Sequence, residues 1–421
     1  MCEYFRTEMI IKSNLNAKKQ LLNDEIDYYN NKKSIRMSNL LFFWCIMSIF
    51  PQIVGESQNT TIKLCLFSIF IFLIFMEIVR NKYKVDIIQI SLGIYFLIIQ
   101  LITHFFIIGS NTSMRLITDI FISSIYYLIF IGMFSKCKLS LNSIIKFCRL
   151  YQIFIIYTCI YNIIINKDII FSILHTANAY SYNASSFFDT RNTFSAFLFL
   201  GIVCTILKIK VINKKVDYIM LIFIIFNLLL TLSRSGIFAS IIFFVFCYLF
   251  ENYTVLNKKV LKLLFSISIF TGIFYITNMY KYIIEIIIRP QSGFTNRGER
   301  WQIIWEIYKH GSLLFGSGWQ VLDYVSPHNS YLTILAVGGM AFLIFYIVLY
   351  FKLILIIKRI KHNDKIIGNI FLSAFIAYFF IISMFEAIIP FRSTSLSVIF
   401  TIFLFVIPRY YFNSLIESNN K

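Results

Sequence analysis

The chain has 421 residues, of which 58% are hydrophobic and 14% are charged, and its formal net charge is +19. A soluble protein carries about a quarter charged residues, so this composition, with a mean hydropathy of +0.75, excludes an ordinary soluble domain. Apolar runs long enough to cross a hydrocarbon core about 30 Å thick recur along the chain. The sequence therefore predicts an all-α polytopic membrane protein, since a β-barrel would show alternating segments of about ten residues.

The positive charge is placed in short Lys and Arg clusters between apolar runs, which argues against nucleic acid as a partner. Such clusters are typical of the cytoplasmic loops of membrane proteins. With the amino-terminal tail inside, most of the 39 Lys and Arg residues fall on the cytoplasmic side. The count predicts about twelve transmembrane helices, with both termini in the cytoplasm.

In chain order, a polar and basic tail covers 1–37, and no cleavable signal peptide is expected. Transmembrane helices 1–9 are expected within 38–280, a large external loop at 281–328, helices 10–12 within 329–408, and a cytoplasmic tail at 409–421. The individual spans are predicted at 38–55, 62–79, 87–108, 114–134, 147–165, 192–207, 217–232, 236–250, 260–280, 329–350, 366–386 and 395–408.

The eight cysteines show no CxxC spacing, so they predict neither a disulfide framework nor a metal site. Small apolar packing residues are the simpler interpretation. No metal and no cofactor is expected for this chain.

An arginine stands at the predicted outer turn between the seventh and eighth spans, in the stretch Thr231–Gly236 (TLSRSG). An arginine at membrane depth costs about 2.5–3.5 kcal/mol on insertion scales, so a retained one is a functional candidate. The planar donor fork of Arg234 suits a phosphate. The alternative is that Arg234 only reaches the outer lipid headgroups.

The external loop contains a helical pattern headed by Arg297 and Arg300. Trp301, Trp305 and two neighbouring apolar residues follow at helical spacing, which predicts one apolar aromatic face. That face favours a helix lying in the outer membrane interface, either as a plain anchor or as part of a catalytic site. The two arginines favour the catalytic site, because positive charge on an outer loop contributes nothing to the orientation of the protein in the membrane.

His328 stands where the tenth span begins, next to Asn329. A histidine there can serve as a general base near neutral pH. The alternative is that this stretch only caps the helix. Further along, Glu386 and Arg392 flank the last outer turn, and a mutual ion pair is the simpler expectation for them.

With these residues in view, the chain resembles the O-antigen ligase and polymerase superfamily of bacterial envelope glycosyltransferases. Arg300 and Gly316 have the R-x15-G spacing of polymerase loops. The remaining motifs that carry the resemblance are Thr231–Gly236, Arg300-Trp301, Gly316-Ser317-Gly318, His328–Leu332, Gly338-Gly339 and Arg191–Ala196 at the opening of the sixth span.

The resemblance implies metal-independent transfer from an undecaprenyl-diphosphate-linked glycan on the outer face of the bacterial inner membrane. It implies that Arg234 and Arg300 hold the diphosphate and that His328 takes the proton from the acceptor hydroxyl. The implied substrate-binding residues are Arg297, Arg289, Asn329, Arg191, Trp301 and Trp305.

A polymerase of O-antigen or capsular repeat units is the preferred function. The first alternative is a ligase that transfers the finished glycan to lipid A core. The second is a flippase or transporter, which would predict charged residues at mid-span and an inverted repeat. The implied partners are the lipid-linked glycan, membrane lipids, a chain-length regulator and a flippase.

Overall fold

The protein is described here by a computed structural model. It describes residues 32–54, 60–81, 87–102, 114–129, 134, 136–167, 184–251, 294–319, 321, 325, 328–392 and 394–419. The predicted span 260–280 and Arg289 lie outside these ranges. Within them, regular structure is helical throughout, and the described part of every predicted span other than 260–280 lies mainly on a helix.

The helices are numbered here in chain order. The first six are α1 Lys32–Ile53, α2 Thr60–Asn81, α3 Ile87–Ile102, α4 Met114–Tyr127, α5 Leu141–Ile165 and α6 Arg191–Ile212. The next six are α7 Lys215–Leu230, α8 Arg234–Glu251, α9 Phe294–His310, α10 Ser330–Asn363, α11 Lys365–Phe385 and α12 Ser395–Ile416.

Seven of the described helices are long and apolar enough to cross a membrane: α1, α5, α6, α8, α10, α11 and α12. The protein is therefore an integral membrane protein, whereas the predicted number of twelve spans is not confirmed. The helix α6 lies at the centre of the bundle, because Phe194 through Val203 are almost completely buried. It packs against α5, α7, α8 and α11.

The helix α10 differs from the predicted span, which ended near Tyr350 and left 352–365 as a loop. The helix continues to Asn363, so that the basic residues after Tyr350 lie on its last turns. Its 34 residues would extend about 51 Å if straight, against about 31 Å for the 21 residues of α11. The break lies at Gly339, whose φ of 62° and ψ of −158° are not helical.

Hydrogen bonds show that α10 changes direction at the break, which is how its 34 residues fit beside the shorter α11. The Ser330 hydroxyl donates to the carbonyls of Glu386 and Ile388, and the Tyr346 hydroxyl donates to the carbonyl of Pro390. Two widely separated points of α10 therefore lie at the same end of α11. The part of α10 before Gly339 runs along that end of the bundle, and the part after it runs antiparallel to α11.

The turn at Leu313–Gly318, called the docked turn below, packs against the break in α10. The N–H groups of Ser317 and Gly318 donate to the carbonyls of Ala336 and Val337, and Met340 and Ala341 donate to the carbonyls of Leu313 and Leu314. These bonds replace the helical ones that the break removes.

Two glycines permit this contact. A Cβ on Gly339 would lie 2.5 Å from Leu314, and a Cβ on Gly316 would lie 2.6 Å from the Gly339 nitrogen. The Gly316-Ser317-Gly318 turn and the Gly338-Gly339 pair are thus one structural unit.

Candidate active site

The side chain of Glu386 is the centre of a polar cluster at the end of α11. Its Oε1 atom lies 3.7 Å from Nη2 of Arg297 and accepts a hydrogen bond from the Ser235 hydroxyl at 3.3 Å. Its Oε2 atom lies 3.7 Å from Nδ1 of His328. Residues from α8, α9 and the start of α10 therefore converge on one carboxylate, whose side chain is only 11% exposed.

The surroundings of Glu386 differ from the expectation of an ion pair with Arg392. The side chains of Arg297 and His328 lie against the Glu386 carboxylate, while the Arg392 guanidinium lies 4.8 Å from the Trp319 ring centroid. Arg392 is near Glu386 in sequence, whereas the observed partners of Glu386 are remote. The bond between Ser235 and Glu386 joins residues 151 positions apart.

His328 is placed by the residues that follow it. The side chain of Asn329 caps α10 by accepting from the Leu332 N–H at 3.0 Å. Because Asn329 is the cap, the His328 ring is not required for that role. The ring is 36% exposed, and the backbone of His328 has φ of 47°.

Positive φ recurs at the turns that form this cluster. Among the described residues, the non-glycine residues with positive φ include Leu232, His328 and Phe391. Leu232 precedes the serines of the α7–α8 turn, and Phe391 lies in the turn that begins at Glu386. Each such backbone costs about 1–3 kcal/mol and persists only where the surroundings fix it, which is common at functional sites.

The TLSRSG stretch forms the tight turn between α7 and α8. The Ser233 hydroxyl donates to the Asn192 side chain at 2.9 Å, and the Ser195 hydroxyl donates to Ser233 at 2.8 Å. Gly236 allows α8 to approach α6, since a Cβ there would lie 2.6 Å from the Ser195 Cβ. The serines and the glycine of the motif thus fix the turn that carries Arg234.

Arg234 and Arg191 form a second group of positive charge beside the carboxylate cluster. Arg234 is the first residue of α8, directly before Ser235, and Arg191 is the first residue of α6. Both side chains are half-buried, and they are close enough to repel each other electrostatically. Two helix N-termini with adjacent arginines favour an anion between them.

The two arginines of α9 point in different directions. Arg297 reaches Glu386 and lies 5.7 Å from the Phe385 ring centroid, whereas Arg300 is exposed. Residues at positions three apart on a helix differ by about 60° in direction, so one arginine faces the bundle and the other faces outward.

The residues of the predicted aromatic face of α9 differ in how deeply they are buried. Ile304 and Tyr308 are buried, and Ile304 packs against Val321 and Ala336 of the neighbouring elements. Trp301 is half-buried, while Trp305 is 42% exposed. The buried face of α9 therefore packs on protein, and Trp305 is the residue of this set that remains open to the surroundings.

Sequence reasoning missed Glu386 as a site residue and gave no role to Ser235. The signal that could have identified them was an acid directly after an apolar span and a serine on each side of Arg234. Within the described ranges, no three His, Cys, Asp or Glu side chains are grouped as metal ligands.

A family model described as O-antigen ligase matches residues 219–347. This match covers less than a third of the chain and includes Arg234, Arg297, Arg300 and His328. No curated protein matches the chain. The match gives no support to the transporter alternative.

The matched segment carries the α7–α8 turn, α9, the docked turn and the start of α10, so that most of the residues gathered at Glu386 fall within it. The resemblance of this membrane protein to the O-antigen ligase and polymerase superfamily is thereby confirmed over the matched residues 219–347.

Proposed function

We propose that the protein polymerises undecaprenyl-diphosphate-linked oligosaccharide repeat units into O-antigen or capsular polysaccharide. The reaction takes place on the outer face of the bacterial inner membrane, with both termini of the chain in the cytoplasm. The observation that supports this most is the cluster of His328, Arg297 and Ser235 on Glu386, beside Arg191 and Arg234.

In the proposed reaction, the hydroxyl oxygen of the acceptor sugar attacks the anomeric carbon of the donor glycan. A new glycosidic C–O bond forms and the sugar–phosphate C–O bond breaks, so that its electron pair leaves with the undecaprenyl diphosphate. His328 takes the proton of the acceptor hydroxyl. A partly exposed imidazole at this position suits that role.

The leaving diphosphate gains negative charge as the bond breaks, so cationic donors stabilise the transition state. Arg234 and Arg191 stand at two helix N-termini and present charged donors from the bundle, and Arg300 presents one from the exposed side of α9. Diphosphate is a good leaving group when held in this way, so no general acid is needed.

Arg297 has a different proposed role from Arg300. Because it faces Glu386 at 3.7 Å, its charge is partly balanced by the carboxylate, whereas Arg300 has no ion-pair partner among the described residues. We assign the diphosphate to Arg234, Arg191 and Arg300. Trp301 and Trp305 lie on the same helix and could stack against sugar rings of the glycan.

A ligase that transfers the finished glycan to lipid A core is the second candidate, and the description of the matching family favours it. Both candidates use the same donor and the same leaving group. They differ in acceptor, and therefore in the length of glycan that remains on the lipid carrier when the protein is inactive.

The experiment for the proposed function replaces Arg234 by lysine and by alanine. Arg234→Lys keeps the charge but loses the planar fork, so we expect a strong loss of polymer at normal protein level. Binding of undecaprenyl diphosphate to the purified protein should weaken in parallel. Wild-type polymer in both variants would contradict the proposal and leave Arg234 as a residue that only reaches lipid headgroups.

A further inference from the structure

The backbone of Glu386, which carries the carboxylate, is held by hydrogen bonds through both its N–H and its carbonyl. Its N–H donates to the carbonyl of Ile382, and its own carbonyl accepts from the Ser330 hydroxyl at 2.8 Å. Ser330 is the first residue of α10, two positions after His328. The bond from Ser330 therefore fixes the distance between the backbone of Glu386 and the backbone that carries the imidazole.

The two carboxylate oxygens of Glu386 have different neighbours. Oε1 faces Arg297 and the Ser235 hydroxyl, whereas Oε2 faces Nδ1 of His328. A carboxylate beside Nδ1 favours the tautomer that carries its proton there, which leaves the lone pair of Nε2 as the base. The distance of 3.7 Å exceeds a direct hydrogen bond, and such contacts commonly tighten when substrate is bound.

A series of hydroxyl groups supports the carboxylate from the bundle. Ser195 donates to Ser233 at 2.8 Å, Ser233 lies 3.2 Å from Ser235, and Ser235 donates to Glu386. Each hydroxyl has one proton to give, and an ionised carboxylate only accepts. The Ser233 proton goes to the Asn192 side chain, and the Ser235 proton goes to Glu386.

From this geometry we propose that Glu386 is a positioning residue, which orients His328 for proton transfer while Ser235 and Arg297 hold its carboxylate. The inference rests on the proposed function, because it assigns His328 as the base. The competing explanation is that Glu386 only attaches α9 to the bundle through Arg297. The two explanations differ in what the loss of Glu386 should do once His328 is absent.

The test measures transfer by the purified full-length protein in proteoliposomes, with lipid-linked glycan extracted from a host that lacks the gene. Glu386→Gln keeps the size and the hydrogen bond from Ser235 but removes the charge. We expect kcat to fall by about 10²–10⁴-fold with little change in KM for the donor, because orientation of the base is lost rather than binding.

A matched pair separates charge from packing. Glu386→Asp and Glu386→Asn have the same size, so both lose the same contacts, and only the aspartate keeps a carboxylate. We expect the aspartate variant to recover part of kcat and the asparagine variant to recover none. All rates are divided by the amount of folded protein measured by size-exclusion chromatography.

A double variant distinguishes the competing explanation: Glu386→Gln in a protein that already carries His328→Asn. We expect it to have the same residual kcat as His328→Asn alone, because Glu386 acts only through the imidazole, whereas loss of an attachment for α9 would lower kcat further. The proposal is overturned if Glu386→Gln keeps wild-type kcat, if the aspartate and asparagine variants are equal, or if the double variant has a lower kcat than His328→Asn alone. If the wild-type protein converts none of the glycan, the proposed function itself fails.

Discussion

Two buried acids at opposite ends of the bundle hold their partners in different ways. Asp217, at the start of α7, pairs with Lys208 at 2.6 Å, and both side chains are less than a tenth exposed. Lys208 also donates to the side chain of Gln152. Glu386 instead shares its carboxylate among Arg297, His328 and Ser235, at distances of 3.3–3.7 Å.

The difference supports the proposal that the reaction takes place at the Glu386 end of the bundle. The short, buried ion pair of Lys208 and Asp217 stabilises packing within the bundle, and its groups have no access to a substrate. The side chains of Arg297 and His328 beside Glu386 are 27% and 36% exposed, so they can exchange partners when a substrate arrives. The comparison predicts that mutations at Asp217 change stability and that mutations at Glu386 change activity per molecule.

The largest expected stability effect is that of Lys208→Met. It leaves Asp217 buried without its cation, which costs about 3–5 kcal/mol when one partner of a buried pair is removed. We expect a lower midpoint of thermal unfolding in detergent. The double variant Lys208→Met with Asp217→Leu should recover part of the loss, because it removes both charges.

A control for Lys208 stands two positions further along the same helix. Lys210 pairs with Glu251 at 2.8 Å, but the two side chains are 39% and 30% exposed. Exposed pairs contribute about 0–1 kcal/mol, so Lys210→Met should unfold close to the wild type. Equal unfolding midpoints for the Lys208 and Lys210 variants would contradict the view that the inner pair is structural.

A smaller effect on stability is expected for Gly339→Ala. This variant sharpens the comparison between the two acids, because the Glu386 cluster depends on α9 and the Asp217 pair does not. An alanine at φ of 62° is strained, and its Cβ would meet Leu314. We expect a cost of about 1–3 kcal/mol, with release of the docked turn and faster tryptic cleavage after Lys309.

The matched control for Gly339 is Gly298→Ala in α9, where a Cβ would meet nothing within 4 Å. An alanine inside a helix is favoured over glycine by about 0.5–1 kcal/mol. Tryptic cleavage after Lys309 should stay at the wild-type rate or slow down. If both glycine variants are cleaved alike, the docked turn does not hold α9 in place.

The sequence predicted the helices well because apolar runs determine which segments can be buried in lipid or protein. It could not show the break at Gly339, since the groups that satisfy the broken helix come from the remote turn at Leu313–Gly318. Helical spacing also could not decide which of Arg297 and Arg300 faces the bundle. That choice depends on Glu386, which reaches α9 only through the folded chain.

The sharpest measurement for the central claim is the length of lipid-linked glycan in cells that carry His328→Asn as the sole copy. Asparagine tolerates positive φ, and Asn329 already caps α10, so the fold and protein level should be unchanged. Without the imidazole, we expect single repeat units to accumulate on the lipid carrier. Long glycan held on that carrier would indicate a ligase, and full-length polymer at wild-type amounts would contradict the assignment of His328 as the base.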